Sequence, residues 1–206
     1  QRTNRFTILK ITCEDNMELM ARYPDGYFDL AIVDPPYRDE NQPTKDMRAN
    51  GSMKSLEGRP SQDYWNELFR VSKEQIIWGA NNFELPQWKG FVAWKKKTIG
   101  INFTMSMVEI ASLSQNLGTT SKWIEIAPQD PNRIHPTQKP AKLYEWLLMN
   151  YAKDGNKILD THLGSGSIAI ACHNLGFDLT ACELDPEYYN AAMKRIENHK
   201  AQQRLF

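Results

Sequence analysis

The sequence predicts an α/β fold with a largely parallel sheet, and three observations lead to it. Short apolar, β-prone runs recur along the chain, patterns with helical spacing lie between several of them, and polar segments separate the two kinds. Strands that alternate with helices are typical of a parallel sheet covered by those helices. The 206 residues are 41% hydrophobic and 24% charged, which suits one domain with a sizeable core. We therefore expect a single domain over residues 1–206.

Each predicted strand is a short apolar run with a polar or turn residue close behind it. The runs end at Val33, Trp78, Trp94, about Ser112, Asp160 and Glu183. Two helices are predicted over 61–71, behind an N-cap at Ser61, and over 139–155, with Pro140 in the first turn. Two more follow the glycine loop at 164–166 and the DPEYY segment. The elements alternate as a parallel sheet requires.

Two segments do not fit this alternation. Residues 38–60 are polar and without a period, and residues 113–134 are short, mixed runs that close with APQDPNRI. Loops of this length in compact domains are usually functional or disordered. We expect both segments to be excursions from the sheet.

Composition and charge exclude several classes of protein. Lysine plus arginine and aspartate plus glutamate number 25 each, so a protein that coats nucleic acid is disfavoured, although a local basic patch is not. No run is long enough to span a membrane, and the first residues lack the apolar block of a secretory signal. Cys13, Cys172 and Cys182 lack metal-ligand spacing. They are predicted to be buried thiols in a reducing cytoplasm.

The stretch ILDTHLGSGS predicts a ligand site. A strand ends at Asp160, the loop Gly164–Ser165–Gly166 precedes a helix, and the next strand ends at Glu183. Glycines let a backbone approach a ligand closely, helix N-termini offer free N–H groups, and an acid at the next strand tip suits ribose hydroxyls. A tight turn with an incidental glutamate is the alternative. The loop lacks a GxGxxG or GK[ST] pattern, so a cofactor without phosphates fits better than a dinucleotide.

The stretch LAIVDPPY ends a buried strand in an unusual way. After the apolar run come Asp34, Pro35, Pro36 and Tyr37. Two prolines cannot donate to a sheet ladder, so pairing has to stop there. The strand end therefore presents a carboxylate, a rigid backbone and an aromatic ring. An incidental proline-terminated strand is the alternative.

With IHPTQKP at 134–140, these stretches resemble the β-group of S-adenosylmethionine-dependent DNA amino-methyltransferases, in which DPPY precedes the cofactor loop. The resemblance runs from TCEDNMELM to NAAMKRI. It implies a permuted Rossmann-like class I methyltransferase, with a mostly parallel twisted sheet and helices on both faces. The expected reaction converts S-adenosylmethionine to S-adenosylhomocysteine without a metal.

The resemblance gives the DPPY residues a catalytic role. Asp34 and the Pro35 carbonyl are expected to accept the two hydrogens of the adenine amine, which aims its lone pair at the methyl group. Pro36 helps to keep that carbonyl rigid, and Tyr37 offers a face for stacking on a flipped base. The reaction implied is methylation of adenine N6 in double-stranded DNA.

Further positions match the cofactor site of the family. They are Asp15, Asp34, His135, Thr137, Gln138, Lys139, Asp160, Thr161, His162, Gly164, Ser165, Gly166 and Glu183. Asp15 is equally suited to be a helix N-cap, and both roles can hold at once. For His135 and Lys139 the alternative is a solvated helix start. His162 stands where the family commonly has an aromatic, so its part in stacking on the cofactor stays open.

The sequence predicts the residues that contact DNA less specifically than those of the cofactor site. Residues 94–97 (WKKK) suit a phosphate contact or a solvated surface, and Asn81, Asn82 and Phe83 match part of the family's target pocket. The segments 38–60 and 113–134 are the expected recognition elements. Arg38, Lys45, Arg48, Lys54 and Arg59 are available in the first of them.

Rival functions are cytosine-N4 methylation of DNA, adenine methylation of RNA, and a non-catalytic nucleic-acid-binding subunit with the same fold. The acid in DPPY favours adenine, because the cytosine-N4 enzymes more often carry serine there. The intact Asp34, glycine loop and Glu183 argue against a non-catalytic subunit. We expect a cytoplasmic protein of bacterial, phage or mobile-element origin. A homodimer and a partner restriction nuclease stay open.

Overall fold

A computed structural model describes residues 7–37, 40–41, 56–102, 106–128, 133–135 and 137–203. In chain order its elements are β1 (Leu9–Cys13), α1 (Asn16–Ala21), β2 (Phe28–Val33), β3 (Glu40–Asn41), β4 (Leu56–Glu57), α2 (Gln62–Val71), β5 (Ser72–Trp78), β6 (Gly90–Lys96), β7 (Val108–Leu113), β8 (Lys122–Ile126), α3 (Ala141–Tyr151), β9 (Lys157–Asp160), α4 (Ser167–Leu175), β10 (Asp178–Glu183) and α5 (Pro186–Gln203). Short 3₁₀ turns cover Ala80–Asn82 and Gln115–Leu117.

Eight of the strands form one sheet in the order β1-β10-β9-β2-β5-β7-β6-β8. All neighbouring pairs are parallel except the two that involve β7, which runs against both β5 and β6. The predicted α/β fold with a largely parallel sheet is confirmed.

The order in which strands are added reverses at the middle of this sheet, between β9 and β2. Strand β9 is followed outward by β10 on one side, whereas β2 is followed outward by β5 on the other. The carboxyl ends of β9 and β2 therefore flank a switch point, which is where open α/β sheets bind their ligands. Asp160 and Asp34 stand at these two ends.

Two apolar cores cover the two faces of the sheet, because successive strand side chains point to opposite faces. Leu30 and Ile32 of β2 pack with α3 and α4 in one core. Ala31 and Val33 of the same strand pack with α1 and α2 in the other. The apolar run of β2 is thus buried on both sides, as in other parallel strands.

Most element boundaries agree with the prediction. Ser61 is the N-cap of α2, and its hydroxyl accepts a hydrogen bond from the Tyr64 amide. Helix α3 ends at Tyr151 rather than near residue 155. Strand β6 continues to Lys96, two residues beyond its predicted end, and β1 was not predicted at all.

The expected excursion over 113–134 is wrong for Lys122–Ile126. These residues form β8, which pairs with β6 at the edge of the sheet. Within 38–60, Glu40–Asn41 and Leu56–Glu57 form a short antiparallel pair. Residues 38–39 and 42–55 lie outside the described part, and with them the predicted contacts of Arg38, Lys45, Arg48 and Lys54.

The prediction of three buried thiols is wrong for Cys13. Cys172 and Cys182 are buried, whereas Cys13 is exposed at the end of the edge strand β1. All three are free thiols. Among the described residues, none of the helices is long and apolar enough to cross a membrane.

Candidate active site at the carboxyl edge of the sheet

Asp34 and Tyr37 form the first part of the site, directly after β2. The Tyr37 hydroxyl donates to Asp34 Oδ1 at 2.8 Å. The tyrosine ring rests on Gly79, the residue after β5, where a Cβ atom would stand 2.2 Å from the ring. Gly79 has φ of +63°, which also favours glycine. The ring reaches Asp34 because Gly79 leaves room for it.

A chain of buried charges continues from Asp34 across the sheet edge. Lys139 Nζ pairs with Asp34 Oδ2 and lies 3.0 Å from Glu109 Oε2. Glu109 Oε1 lies 2.5 Å from Lys96 Nζ. We call Asp34, Lys139, Glu109 and Lys96 the ionic cluster. Glu109 reaches this edge because β7 runs in reverse and starts where its neighbours end.

Burial and pairing oppose each other within the ionic cluster. Burial raises the pKa of Asp34 despite the Lys139 ammonium beside it. For Glu109 the two lysines outweigh burial and lower the pKa to about 2. The two carboxylates likewise outweigh the burial of Lys139 and raise its pKa. Glu109 is therefore a carboxylate and Lys139 an ammonium at neutral pH.

The carboxylates at the glycine loop have backbone partners instead. Asp160 Oδ1 accepts from the His162 amide at 2.9 Å. Glu183 accepts from the amides of Gly164, at 2.8 Å, and Asp185, at 3.0 Å. Burial raises the pKa of Asp160 to about 8 and also raises that of Glu183. The Glu183 carboxylate, with about four acceptor positions, has capacity beyond these backbone donors.

The glycines of the loop serve different neighbours. Gly164 and Gly166 have φ of +54° and +74°. A Cβ on Gly164 would come within 3.4 Å of the His135 ring, whereas one on Gly166 would stand 2.9 Å from Ile196 of α5. The buried Ser165 between them accepts from Arg195 of α5 through its carbonyl, at 2.9 Å. Gly166 and Ser165 thus tie the loop to α5, while Gly164 faces His135.

The HPTQKP segment packs on this loop. His135 is buried, lies edge-on to Tyr188 at 4.5 Å, and accepts from the Thr137 amide through Nδ1 at 3.3 Å. Burial lowers the pKa of His135 to about 3, so the ring is neutral at pH 7. Gln138 is buried and accepts from the Ile134 amide, whereas Thr137 is exposed. The alternative of a solvated helix start is wrong for His135 and Lys139.

Asp15, Thr161 and His162 lie at the other side of the loop. Asp15 is the N-cap of α1 and accepts from the Met17 amide at 2.7 Å. Thr161 contacts the Tyr64 hydroxyl at 2.7 Å. His162 lies edge-on to Tyr64, and burial lowers its pKa to about 4. Among the described residues, no three His, Cys, Asp or Glu side chains are grouped to hold a metal.

Some of the predicted DNA-contacting residues lie near Tyr37, whereas Lys96 is buried. Phe83 lies 6.2 Å from Tyr37, ring to ring, and the Arg59 guanidinium lies 5.5 Å from the Phe83 ring. Asn81 and Asn82 are exposed beside them. In the WKKK run, a phosphate contact is wrong for Lys96, which is buried in the ionic cluster.

Sequence reasoning missed several residues of the site: Asn16, Tyr64, Gly79, Lys96 as a buried group, and Glu109. Asn16 and Tyr64 contact His162 and Thr161. The one usable signal is that Glu109 is the single charged residue of its strand and that Lys96 ends a strand that begins apolar. Their pairing depends on the reversed direction of β7, which the sequence does not reveal.

Comparison with known protein families shows what this arrangement belongs to. The profile of the N6/N4 methyltransferase family, described as DNA methylase, matches residues 27–194. The chain belongs to this DNA methylase family. The match spans both halves of the site, from β2 with its DPPY motif to the glycine loop and Glu183. The predicted family is confirmed.

Individual relatives are more distant. A protein named "Putative methylase YubD" from Escherichia coli K12 is 23% identical over 201 residues, covering 88% of this chain and 87% of its own. The crystal structure of M1.HpyAVI with S-adenosylmethionine superposes with a TM-score of 0.61 at 19% identity and covers 91% of this chain and 100% of its own. The cytosine-N4-specific PvuII methyltransferase has a TM-score of 0.65 at 11% identity, with coverages of 96% and 93%. The predicted methyltransferase fold is confirmed.

Proposed function

We propose that this DNA methylase transfers a methyl group from S-adenosylmethionine to N6 of a flipped adenine in double-stranded DNA. The observation that carries the proposal is Asp34. Its carboxylate stands at the switch point of the sheet between a tyrosine hydroxyl and a lysine ammonium, beside a glycine loop. A positioned acceptor at such a crevice suits the activation of an amine.

The residues of the glycine-loop half fit S-adenosylmethionine. The buried carboxyl of Asp160, with a pKa raised to about 8, gains a counterion when a cationic ligand binds. The Glu183 carboxylate at the tip of β10 suits ribose hydroxyls as donors. When bound, the cofactor supplies a methyl group on a sulfonium. S-adenosylmethionine is also what the M1.HpyAVI structure holds, in agreement with the predicted cofactor.

The DPPY half then has to activate the target amine. The adenine amine is a weak nucleophile because its lone pair is delocalised into the ring. Asp34 and the Pro35 carbonyl accept its two hydrogens, which draws the nitrogen toward a tetrahedral geometry. Pro36 stiffens the backbone behind that carbonyl. Tyr37 has to move its hydroxyl or share Asp34 Oδ1 with the incoming base, since it occupies that oxygen in the free protein.

Cytosine N4 is the second candidate target, and the resemblance in fold to the PvuII enzyme favours it. Both amines are exocyclic, so the same acceptors serve both reactions. Adenine is preferred because the motif begins with an acid.

The test is to express the chain in a host without DNA methylation and to map modified bases by single-molecule sequencing. Mass spectrometry of the digested nucleosides then distinguishes N6-methyladenine from N4-methylcytosine. We expect N6-methyladenine, with Asp34→Asn as the inactive control. N4-methylcytosine alone would contradict the choice of base, and no modified base would contradict the activity.

A further inference from the structure

Glu109 and Lys96 form an ion pair that is largely buried. Their side chains are 21% and 8% exposed, and that of Lys139 between Glu109 and Asp34 is 4% exposed. Buried ion pairs can often be replaced by apolar residues of similar volume without loss of stability. Removing one partner is costly, since the other charge is then left buried and unpaired. The pair therefore calls for a role other than stability.

The geometry links this pair to the predicted catalytic carboxylate. Lys139 stands between two carboxylates, pairs with Asp34 Oδ2, and lies 3.0 Å from Glu109 Oε2 and 5.3 Å from the centre of the Trp78 ring. An ammonium group on a flexible four-carbon stem needs several contacts to be fixed in one direction. Glu109 and Trp78 supply two of them.

Lys96 governs how strongly Glu109 attracts Lys139. With Lys96 at 2.5 Å, the negative charge of Glu109 is shared between two ammonium groups. Without Lys96, Glu109 and Asp34 would compete for Lys139 alone, and two carboxylates that share one site disfavour each other's ionisation.

We propose that Glu109 and Lys96 are positioning residues for methyl transfer: Glu109 holds the Lys139 ammonium beside Asp34, and Lys96 offsets the charge of Glu109. The inference rests on the proposed function, because it assigns the pair to the residue that would activate the amine. Neither residue is expected to contact the base or the cofactor.

The charges around Asp34 determine the pH at which it is protonated, so the proposal can be tested by varying the pH. The ionisable groups that face it from the surrounding elements are Tyr37, Glu109, Lys139, Tyr144 and Asp160. Lys96 acts on this set through Glu109. Replacing Lys96 with a neutral residue removes one positive charge, so protonation of the paired carboxylates shifts to higher pH. Replacing Glu109 as well removes one negative charge and cancels that shift.

The experiment measures kcat for DNA methylation against pH for the variants Lys96→Met, Lys96→Arg and Lys96→Met with Glu109→Gln. We expect Lys96→Met to lower kcat at neutral pH by about tenfold. The acid limb of the profile, where kcat falls as the pH is lowered, should move up by about one pH unit. KM for S-adenosylmethionine should stay unchanged. The double variant should return the acid limb to its original pH. Lys96→Arg keeps the charge and should keep the acid limb too.

Glu125→Gln is the matched control. Glu125 on β8 pairs with Lys95, the neighbour of Lys96 on β6, at 3.2 Å on the exposed side of the sheet. This variant loses an exposed ion pair outside the site, so its pH profile should equal that of the unchanged protein. A Lys96→Met profile that matches Glu125→Gln would overturn the inference. An acid limb that stays shifted in the double variant would also overturn it, since Lys96 would then not act through Glu109.

A second readout separates this inference from the proposed function and does not depend on activity. Carbon-13 NMR titration of the side-chain carboxyl groups in the ligand-free protein should show the Asp34 titration moving to higher pH in Lys96→Met. A protein that methylates DNA without this movement contradicts the inference alone. A protein that shows the movement but neither binds S-adenosylmethionine nor methylates DNA contradicts the proposed function and, with it, the positioning role. If Lys96→Met does not fold, as circular dichroism would reveal, Lys96→Gln is measured in its place with the same expected shift.

Discussion

The buried carboxylates in the two halves of the crevice have different kinds of partner. On the DPPY side, Asp34 and Glu109 share the ammonium groups of Lys139 and Lys96. On the glycine-loop side, Asp160 and Glu183 accept from backbone amides. Within the part of the chain that the structure describes, neither of these two pairs with a lysine or arginine. The pKa of Glu109 is consequently about 2, whereas burial raises that of Asp160 to about 8 and, despite Lys139, also raises that of Asp34.

This difference corresponds to the charge of what each half is proposed to hold. S-adenosylmethionine carries an ammonium and a sulfonium, so it brings its own counterions to the carboxylates of the glycine-loop half. The target amine is neutral, so the counterion of Asp34 has to come from the protein, where Lys139 offsets part of the burial that raises the pKa of Asp34. Asp34 thus has a counterion within the protein, whereas in the proposed function Asp160 and Glu183 receive theirs from the cofactor.

The largest expected effect is a loss of folding stability from a change in the glycine loop. Gly166→Val should lower the free energy of unfolding by about 1–3 kcal/mol for the left-handed backbone, and by about 1–3 kcal/mol more for overpacking against Ile196. Gly176→Ala is the control, since Gly176 has φ of +78° with open space around its Cβ position. Urea denaturation checks both variants. Equal losses would mean that contact with α5 is unimportant.

The next effect is a loss of methyl-transfer rate from a change in the DPPY half alone. Asp34→Asn should lower the rate of methyl transfer by about 10²–10³, because the amine loses a charged acceptor in a desolvated site. The affinity for S-adenosylmethionine should change little. Asp29→Asn is the matched control at the opposite end of β2, where Asp29 pairs with Lys73 at 2.7 Å. Rates from transfer of a labelled methyl group and affinities from calorimetry check this. Near-normal turnover of Asp34→Asn would rule out its catalytic role.

A smaller effect probes the ribose contact. Glu183→Ala should weaken binding of S-adenosylmethionine by roughly 1.5–3 kcal/mol through lost charge-assisted hydrogen bonds. Calorimetry measures the affinity, and kcat at saturating cofactor should stay close to normal. Glu183→Gln, which keeps an acceptor for the Gly164 amide, should lose less. Unchanged affinity in both variants would put the ribose elsewhere.

The smallest effect sharpens the comparison through pH. The folded pKa of Asp160 is about 8, above its ordinary value of 3.8, so its neutral form favours the folded state at low pH. That contribution to stability is complete below about pH 4 and is lost as the pH rises toward 8. A cationic ligand favours the ionised form, so affinity for S-adenosylmethionine should rise with pH, by up to about tenfold between pH 7 and pH 8. Calorimetry across pH checks it, with Asp160→Asn expected to be flat. An equally steep dependence in that variant would assign the proton to another group.

Much of the site was predictable because acids at strand ends are visible in the sequence. The apolar runs before Asp34, Asp160 and Glu183 show where each strand stops, and parallel strands bring those ends to one edge. The helices over 62–71 and 141–151 were predictable from their periodicity and their first residues.

The ionic cluster was not predictable, for a physical reason. Lys139 is 105 residues from Asp34, and Glu109 meets them only because β7 is reversed between β5 and β6. Strand direction and register depend on long-range pairing, to which a local pattern is blind. Strand β8 was missed for a related reason, since KWIEI is a half-exposed edge strand with no continuous apolar run.

Gly79 carries a consequence for the evolution of such sites. Its missing side chain leaves the space in which the Tyr37 ring rests, 42 positions earlier in the chain, and even a methyl group would intrude to 2.2 Å. The two positions are therefore expected to vary together across related chains. A relative with a larger residue after the strand equivalent to β5 should hold its DPPY tyrosine away from the aspartate, or should have replaced that tyrosine. This pairing gives a covariation signature that can be sought directly in genome sequences.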